Sequence, residues 1–157
     1  MTIYLVRHAK AGSRKDWNGP DDSRPLSGAG RRQAEAITDL LLGIEASTIT
    51  RIMASPFVRC HQTVEPLAAR LGLSIELTPA LAEDATAEAA RQVLALACDS
   101  DTSTVFCSHG NIVGDLLAEA QHQGVRLEGN RIEKASTWAL TIDAGAIVGA
   151  RYFPPPA

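Results

Sequence analysis

Four short stretches of this sequence hold side chains that could do chemistry together: Arg7-His8, Ser55-Pro56 running on to Arg59, Glu83-Asp84, and Ser108-His109-Gly110. Arginine presents a planar fork that matches phosphoryl oxygens bidentately and keeps its charge near neutrality. A histidine whose second ring nitrogen is held by a backbone carbonyl offers a neutral nitrogen as nucleophile. A second histidine, protonated by a bound dianion, can stabilise charge on a transferring group. A nearby carboxylic acid can protonate a leaving oxygen, an effect worth roughly 10²- to 10⁴-fold. Phosphoryl transfer asks for this mixture of positioning and charge stabilisation. Singly, each residue has a plainer reading. Arg7-His8 could be a solvated strand end, His109 a turn residue, Arg59 a helix-surface cation, and Glu83 or Asp84 a first-turn helix carboxylate. The chemical reading therefore rests on convergence, which the flanking elements must provide.

Apolar runs at residues 3–6, 51–54, 74–77 and 104–108 predict strands. Between them, apolar residues recur at helical spacing: Ala34, Ile37, Leu41 and Ile44 after a Ser27 cap; Val64, Leu67, Ala68 and Leu71 before Gly72; Ala90, Val93, Leu94 and Ala97 within 86–97; and Val113, Leu116, Leu117 and Ala120. Two late strands, about 136–142 and 146–152, flank Asp143-Ala144-Gly145 and predict a hairpin. Alternating strands and helices predict a three-layer α/β/α sandwich with a mostly parallel sheet and an antiparallel edge. In such sheets ligands bind beyond the carboxyl ends of the strands, where all four stretches fall. Residues 9–25 are polar and punctuated by Gly and Pro, a long loop of the kind that is often functional.

Composition narrows the function. The 157 residues suit one domain over 1–157, and 45% hydrophobic with 21% charged residues is ordinary for a globular protein. A net charge of -3 and seven aromatic residues argue against nucleic-acid binding. Cys60, Cys98 and Cys107 form no CxxC pair, so neither a disulfide framework nor a cysteine zinc site is expected. The four histidines show no HxH or HExxH spacing, and no metal is expected. There is no GxGxxG fingerprint and no GxxxxGKS or GxxxxGKT loop. Ile3-Tyr4-Leu5-Val6 is cut short by Arg7 and His8, which leaves neither a signal peptide nor a membrane span and predicts a cytoplasmic location.

Leu5-Val6-Arg7-His8-Ala9, Ser55-Pro56-Phe57-Val58-Arg59-Cys60-His61-Gln62-Thr63 and Ser108-His109-Gly110 together resemble the signature of the histidine phosphatase superfamily, phosphoglycerate mutase-like in fold. Asp21-Asp22-Ser23-Arg24-Pro25-Leu26-Ser27 followed by Gly30 resembles the short SixA-type phosphohistidine phosphatases. Phe57 to Leu67 and Lys134-Ala135-Ser136-Thr137-Trp138 are similar to histidine phosphatase domains fused to MutT-type Nudix hydrolases; no Nudix pattern occurs here. The resemblance implies that His8 is the nucleophile, that Arg7, Arg59 and His109 complete a phosphate pocket, and that Glu83, or its neighbour Asp84, is the acid. It implies no cofactor. Ala9 replaces the usual glycine, and the Trp-Glu-Gly segments of mutases are missing, which weighs against mutase activity.

The expected function is a cofactor-independent phosphatase acting on a protein phosphohistidine. A small-molecule or nucleotide phosphomonoesterase is the alternative, and a non-catalytic phosphate-binding module the second. Arg14 is expected to approach substrate more than Lys10 or Lys15, Trp17 to shield the underside of the loop, Ser108 to be a turn residue, and Asn111 to cap a helix. Cys60 reads as packing, and His61 and His122 as helix-surface residues.

Overall fold

The computed structural model describes residues 1–44 and 48–157. Six strands form one sheet: β1 (Thr2–Arg7), β2 (Ile49–Ala54), β3 (Ile75–Leu77), β4 (Ser103–Ser108), β5 (Thr137–Asp143) and β6 (Ala146–Phe153), in the order β3-β2-β4-β1-β5-β6. The first four run parallel, and β5 and β6 form the antiparallel edge. Four helices cover the sheet: α1 (Gly28–Ile44), α2 (Val58–Leu71), α3 (Ala87–Cys98) and α4 (Gly110–His122).

Alternation along the strands builds two cores. Ile3, Leu5 and Phe106 face α3 and α4, while Tyr4, Val6, Val105 and Cys107 face α1 and α2. β4, central and covered on both faces, has all six residues buried, which is why it reads as a continuous apolar run rather than an alternating one. The periodic residues of α1 are buried as far as Leu41, but Ile44 is 42% exposed, because the helix has left the core by its last turn.

Helix ends follow local chemistry. Ser27 Oγ accepts the N–H of Gly30 at 3.1 Å and Thr86 Oγ accepts that of Ala89 at 3.1 Å, satisfying amides that have no partner in the first turn. Gly72 ends α2 at φ 66° with no side chain within reach of an added Cβ, so it is there for its backbone conformation. Among the described residues no helix is long and apolar enough to cross a membrane.

Residues 9–25 are tied down. Ala11 bridges Leu26, Gly12 N–H donates to Pro25 O at 3.1 Å, and Asp21–Ser23 form a 3-10 turn. Trp17 donates its indole N–H to Pro20 O at 2.8 Å and is partly exposed, so it braces the loop from within. The loop base packs on α1 at Gly30, where an added Cβ would run into the carbonyl oxygen of Lys10, two residues after His8. Gly30→Ala is expected to destabilise the protein by about 1–3 kcal/mol, as overpacked sites do, and to lower turnover by displacing the His8 loop. Urea denaturation with a parallel rate measurement checks this; unchanged stability would show that the contact relaxes freely.

Candidate active site

Parallel pairing sets the site. Arg7 lies opposite Ser108 and Ala54 opposite Cys107, so β1, β2 and β4 end side by side. The ladder continues past them: His8 N–H donates to Ser108 O and Ser55 N–H to Cys107 O, both at 3.0 Å. His8, Ser55 and His109 therefore leave the sheet at one level. The rings of His8 and His109 meet edge to face with centroids 5.4 Å apart.

His8 is buried, and its Nδ1 lies 2.8 Å from the carbonyl oxygen of Ala9. A carbonyl only accepts, so Nδ1 carries the hydrogen and Nε2 presents a lone pair. The Ala9 N–H is fixed in turn by Thr63 Oγ at 3.0 Å, and that hydroxyl donates to Arg59 O at 2.6 Å. Burial, together with the charges of Arg59, Arg7 and Lys134, lowers the His8 pKa to about 4 against the pull of the Ala9 carbonyl. The ring is neutral at neutral pH.

Arg59, in the first turn of α2, is 1% exposed. Its Nη1 donates to Asp21 O at 2.9 Å, and its Nη2 lies 3.1 Å from Asp21 Oδ2 and 3.3 Å from Glu83 Oε2. The guanidinium also lies 4.9 Å over the Phe57 ring. Glu83 is held by its backbone, since Asn111 Nδ2 donates to Glu83 O at 2.8 Å. Asn111 thus anchors the Glu83 loop instead of capping α4. Ser108, buried at the end of β4 and not in a turn, donates to Leu81 O at 2.5 Å and pins the same loop. Arg7 donates from Nη1 to Ile132 O at 2.6 Å. An added Cβ at Gly110 would lie 3.1 Å from Arg7 Nε, so this glycine leaves room for the guanidinium.

Among the described residues, Arg7 Nε, Arg59 Nε and His109 Nδ1 are buried without a hydrogen-bond partner. Buried polar atoms are rarely left so, and here three belong to residues of the cluster that holds His8. Two of them are permanent donors of charged groups, which an oxyanion would satisfy.

The structure thus brings Arg7, His8, Arg59, Glu83 and His109 together. Asp84 shares with Pro20, Asp21, Asp22, Phe57 and Glu83 the wall of an open hollow of about 410 Å³ beside Arg59. Arg14 is 71% exposed and reaches the cluster only through Asp21 Oδ1 at 3.4 Å. Cys60 is packed in the core as expected, and its Sγ also lies 3.5 Å from His109 Nε2. His61 is partly buried and paired with Glu65 at 2.8 Å, and His122 is exposed.

Two residues escape a sequence search of strand ends. Asp21 receives Arg59, Arg24 at 3.0 Å and Arg14; burial opposes its ionisation, yet Arg24, Arg59 and Arg14 hold its carboxyl below the usual value. Lys134 has its pKa lowered by burial and by Arg7, Arg24, Lys10 and Arg59. It precedes β5, whose antiparallel course starts at the edge where β1 ends: Arg7 N–H donates to Ser136 O, and Ala135 N–H reaches Arg7 O and His8 O, each at 3.1 Å. Ala135 adopts φ 66°, an uncommon conformation for a residue with a Cβ, to make those contacts. A filter that takes only residues following strands cannot find one that precedes an antiparallel strand.

Comparison with known proteins bears on the fold and the family. The profile of the Histidine phosphatase superfamily (branch 1) matches residues 3–90. The 8-oxo-(d)GTP phosphatase of Mycolicibacterium smegmatis is 39% identical over 99% of this chain, which spans about half, 48%, of that relative. The phosphohistidine phosphatase SixA of Escherichia coli is 30% identical over 76% of this chain and 73% of its own. The solved structure of the protein histidine phosphatase SixA complexed with tungstate superposes at a TM-score of 0.77 with 25% identity, covering 98% of this chain and 94% of the other. With its fold shared and its motifs converging on one sheet edge, the chain belongs to the histidine phosphatase superfamily.

Proposed function

We propose that this chain hydrolyses phosphoryl groups without a metal or cofactor through a covalent phosphohistidine on His8. The carrying observation is the pairing of the Nδ1 bond to Ala9 O, which leaves Nε2 free, with buried unpartnered nitrogens on Arg7, Arg59 and His109 in the same cluster. In the first step Nε2 attacks phosphorus, the bond from phosphorus to the leaving atom breaks, and Glu83 supplies that atom with a proton. In the second step water attacks phospho-His8, Glu83 takes up its proton, and the P–N bond breaks to return Nε2 and inorganic phosphate. Arg7 and Arg59 hold the equatorial oxygens in both steps. Asp84, with no contact to Arg59, is left as a wall of the hollow, which favours Glu83 as the acid.

The leaving group occupies the hollow between Phe57 and the carboxylates of Asp21, Asp22, Glu83 and Asp84. Such walls accept N–H donors and repel further phosphates, while Lys134, within electrostatic reach of Arg7 and Arg59, adds positive charge to the cluster. A nucleoside phosphate is the first reading, favoured by 39% identity to a nucleotide phosphatase along nearly the whole chain. A protein-borne phosphohistidine is the second, favoured by the open, acid-walled hollow and by the SixA overlap. Steady-state kcat/KM over purine nucleoside phosphates, p-nitrophenyl phosphate and a phosphohistidine protein, with EDTA present, ranks them. A preference for the phosphoprotein by tenfold or more reverses the order.

His8→Ala is expected to abolish turnover and acid-labile phosphoenzyme; persistence of full activity would sink the mechanism. Glu83→Gln is expected to lower kcat on the order of 10²-fold for alkyl esters and far less for p-nitrophenyl phosphate, whose leaving group needs no proton.

Burial lowers both histidine pKa values, to about 4 for His8 and about 3 for His109, against an ordinary value of 6.5. As pH falls from 6.5 to 4 the unfolded chain binds protons that the folded chain refuses, so stability falls with pH across that window, at about 1.4 kcal/mol per pH unit for each refused proton. Thermal unfolding between those pH values should show this slope, and it should be shallower in His8→Ala. NMR titration of His8 with a midpoint near 6.5 would contradict the buried, neutral nucleophile.

A further inference from the structure

The surroundings of His109 decide which of its nitrogens carries the proton. Ser55, fully buried just past the end of β2, places its Oγ 2.9 Å from His109 Nε2 and accepts the N–H of Phe57 at 3.2 Å. The other polar neighbour of Nε2 is the Cys60 thiol at 3.5 Å. His109 Nδ1 is buried and unpartnered among the described residues. The ring is clamped edge to face between Phe57, at 4.7 Å between centroids, and His8.

Two proton arrangements fit the distance from Nε2 to Oγ. With the proton on Nε2, the Ser55 hydroxyl hydrogen finds no acceptor among the described residues, and Nδ1 turns a lone pair toward a pocket built for an anion. A buried donor stranded in that way is costly. With the proton on Nδ1, every group is used. Ser55 accepts from Phe57 and donates to Nε2, the thiol adds a weak second donor, and Nδ1–H becomes the free donor. A thiol is a poor acceptor, so both neighbours of Nε2 favour this state.

We infer that Ser55 is a positioning residue whose hydroxyl donates to His109 Nε2 and fixes the neutral ring as its Nδ1–H tautomer. The pocket thereby has a preset donor for a phosphoryl oxygen with no proton taken from solvent. Its catalytic consequence rests on the phosphatase reading above; the tautomer itself does not.

Nitrogen-15 NMR of the imidazole rings in the free protein at neutral pH tests the tautomer directly. The expected wild-type result is an unprotonated Nε2 and a protonated Nδ1 on His109. Ser55→Ala should shift the ring toward the opposite tautomer and lower kcat on the order of tenfold, with a smaller change in KM, as removal of a ring-orienting partner does. Ser55→Thr, which restores a hydroxyl, should recover both. A wild-type His109 protonated on Nε2 overturns the inference, as does a folded Ser55→Ala with wild-type tautomer and kcat. Should Ser55→Ala fail to fold, the wild-type spectrum alone decides. Absence of turnover in the wild type would instead count against the phosphatase reading and leave the tautomer result standing.

Discussion

Arg59 carries a permanent charge at a position with 1% exposure. A guanidinium so placed is tolerable only if carboxylates and carbonyls are brought to it. Asp21 arrives from the loop after β1 and Glu83 from the loop after β3. Three segments far apart in sequence are thus tied at one atom group, and the Asp21 end carries further structure. Its carboxylate also takes Arg24, and Arg24 Nη1 donates to Gly12 O at 2.7 Å, which folds residues 9–25 back on themselves. The long loop is ordered because a buried cation needs its acidic residue. Among the described residues, Nε of Arg59 is left without a hydrogen-bond partner.

The sheet supplies the second constraint. Parallel strands all present their carboxyl ends to one side, so Arg7-His8, Ser55 and Ser108-His109 share an edge by topology alone. β5 reverses direction and contributes its beginning there, which closes the cluster with Ala135 and Lys134. The left-handed backbone of Ala135 marks how tightly this closure is made. The mixed sheet thus lets both strand ends and a strand start build one pocket.

Much of this was legible in the residues themselves. Period-3.6 and short apolar runs placed every helix and strand to within a few residues, because each amphipathic face has only one core to bury. Arg7, His8, Arg59, Glu83 and His109 converge as their positions after strands required. Asp21, by contrast, reads as one of two acidic residues in a polar loop; its use depends on where Arg59 is buried, a tertiary fact. Ser108 and Asn111 look like a turn and a cap, yet both hold the Glu83 loop, because local propensity says nothing about an acceptor 27 or 28 residues away along the chain. Choosing Glu83 over Asp84 likewise needed the contact with Arg59 Nη2.

The sequence suggests a second histidine that a bound dianion protonates, and the free pocket is the starting point for that step. Burial and the surrounding arginines keep both rings neutral, with His109 at about 3. The reason lies in the division of labour between residue types. The proposed attack by His8 needs a lone pair, and a field that repels protons preserves it. That same field acts on His109, which is neutral in the free pocket. Positive charge is therefore left to arginine, whose pKa lies far enough above neutrality to survive desolvation. Arg7 has its pKa lowered by burial, partly offset by Glu83, and remains charged. A chain of net charge -3 can hold such a pocket because Asp21 and Glu83 pair with Arg59 through Nη2 while Nε of Arg59 and of Arg7 has no hydrogen-bond partner among the described residues. The acidic balance of the whole molecule and the cationic focus of the site are two sides of one arrangement.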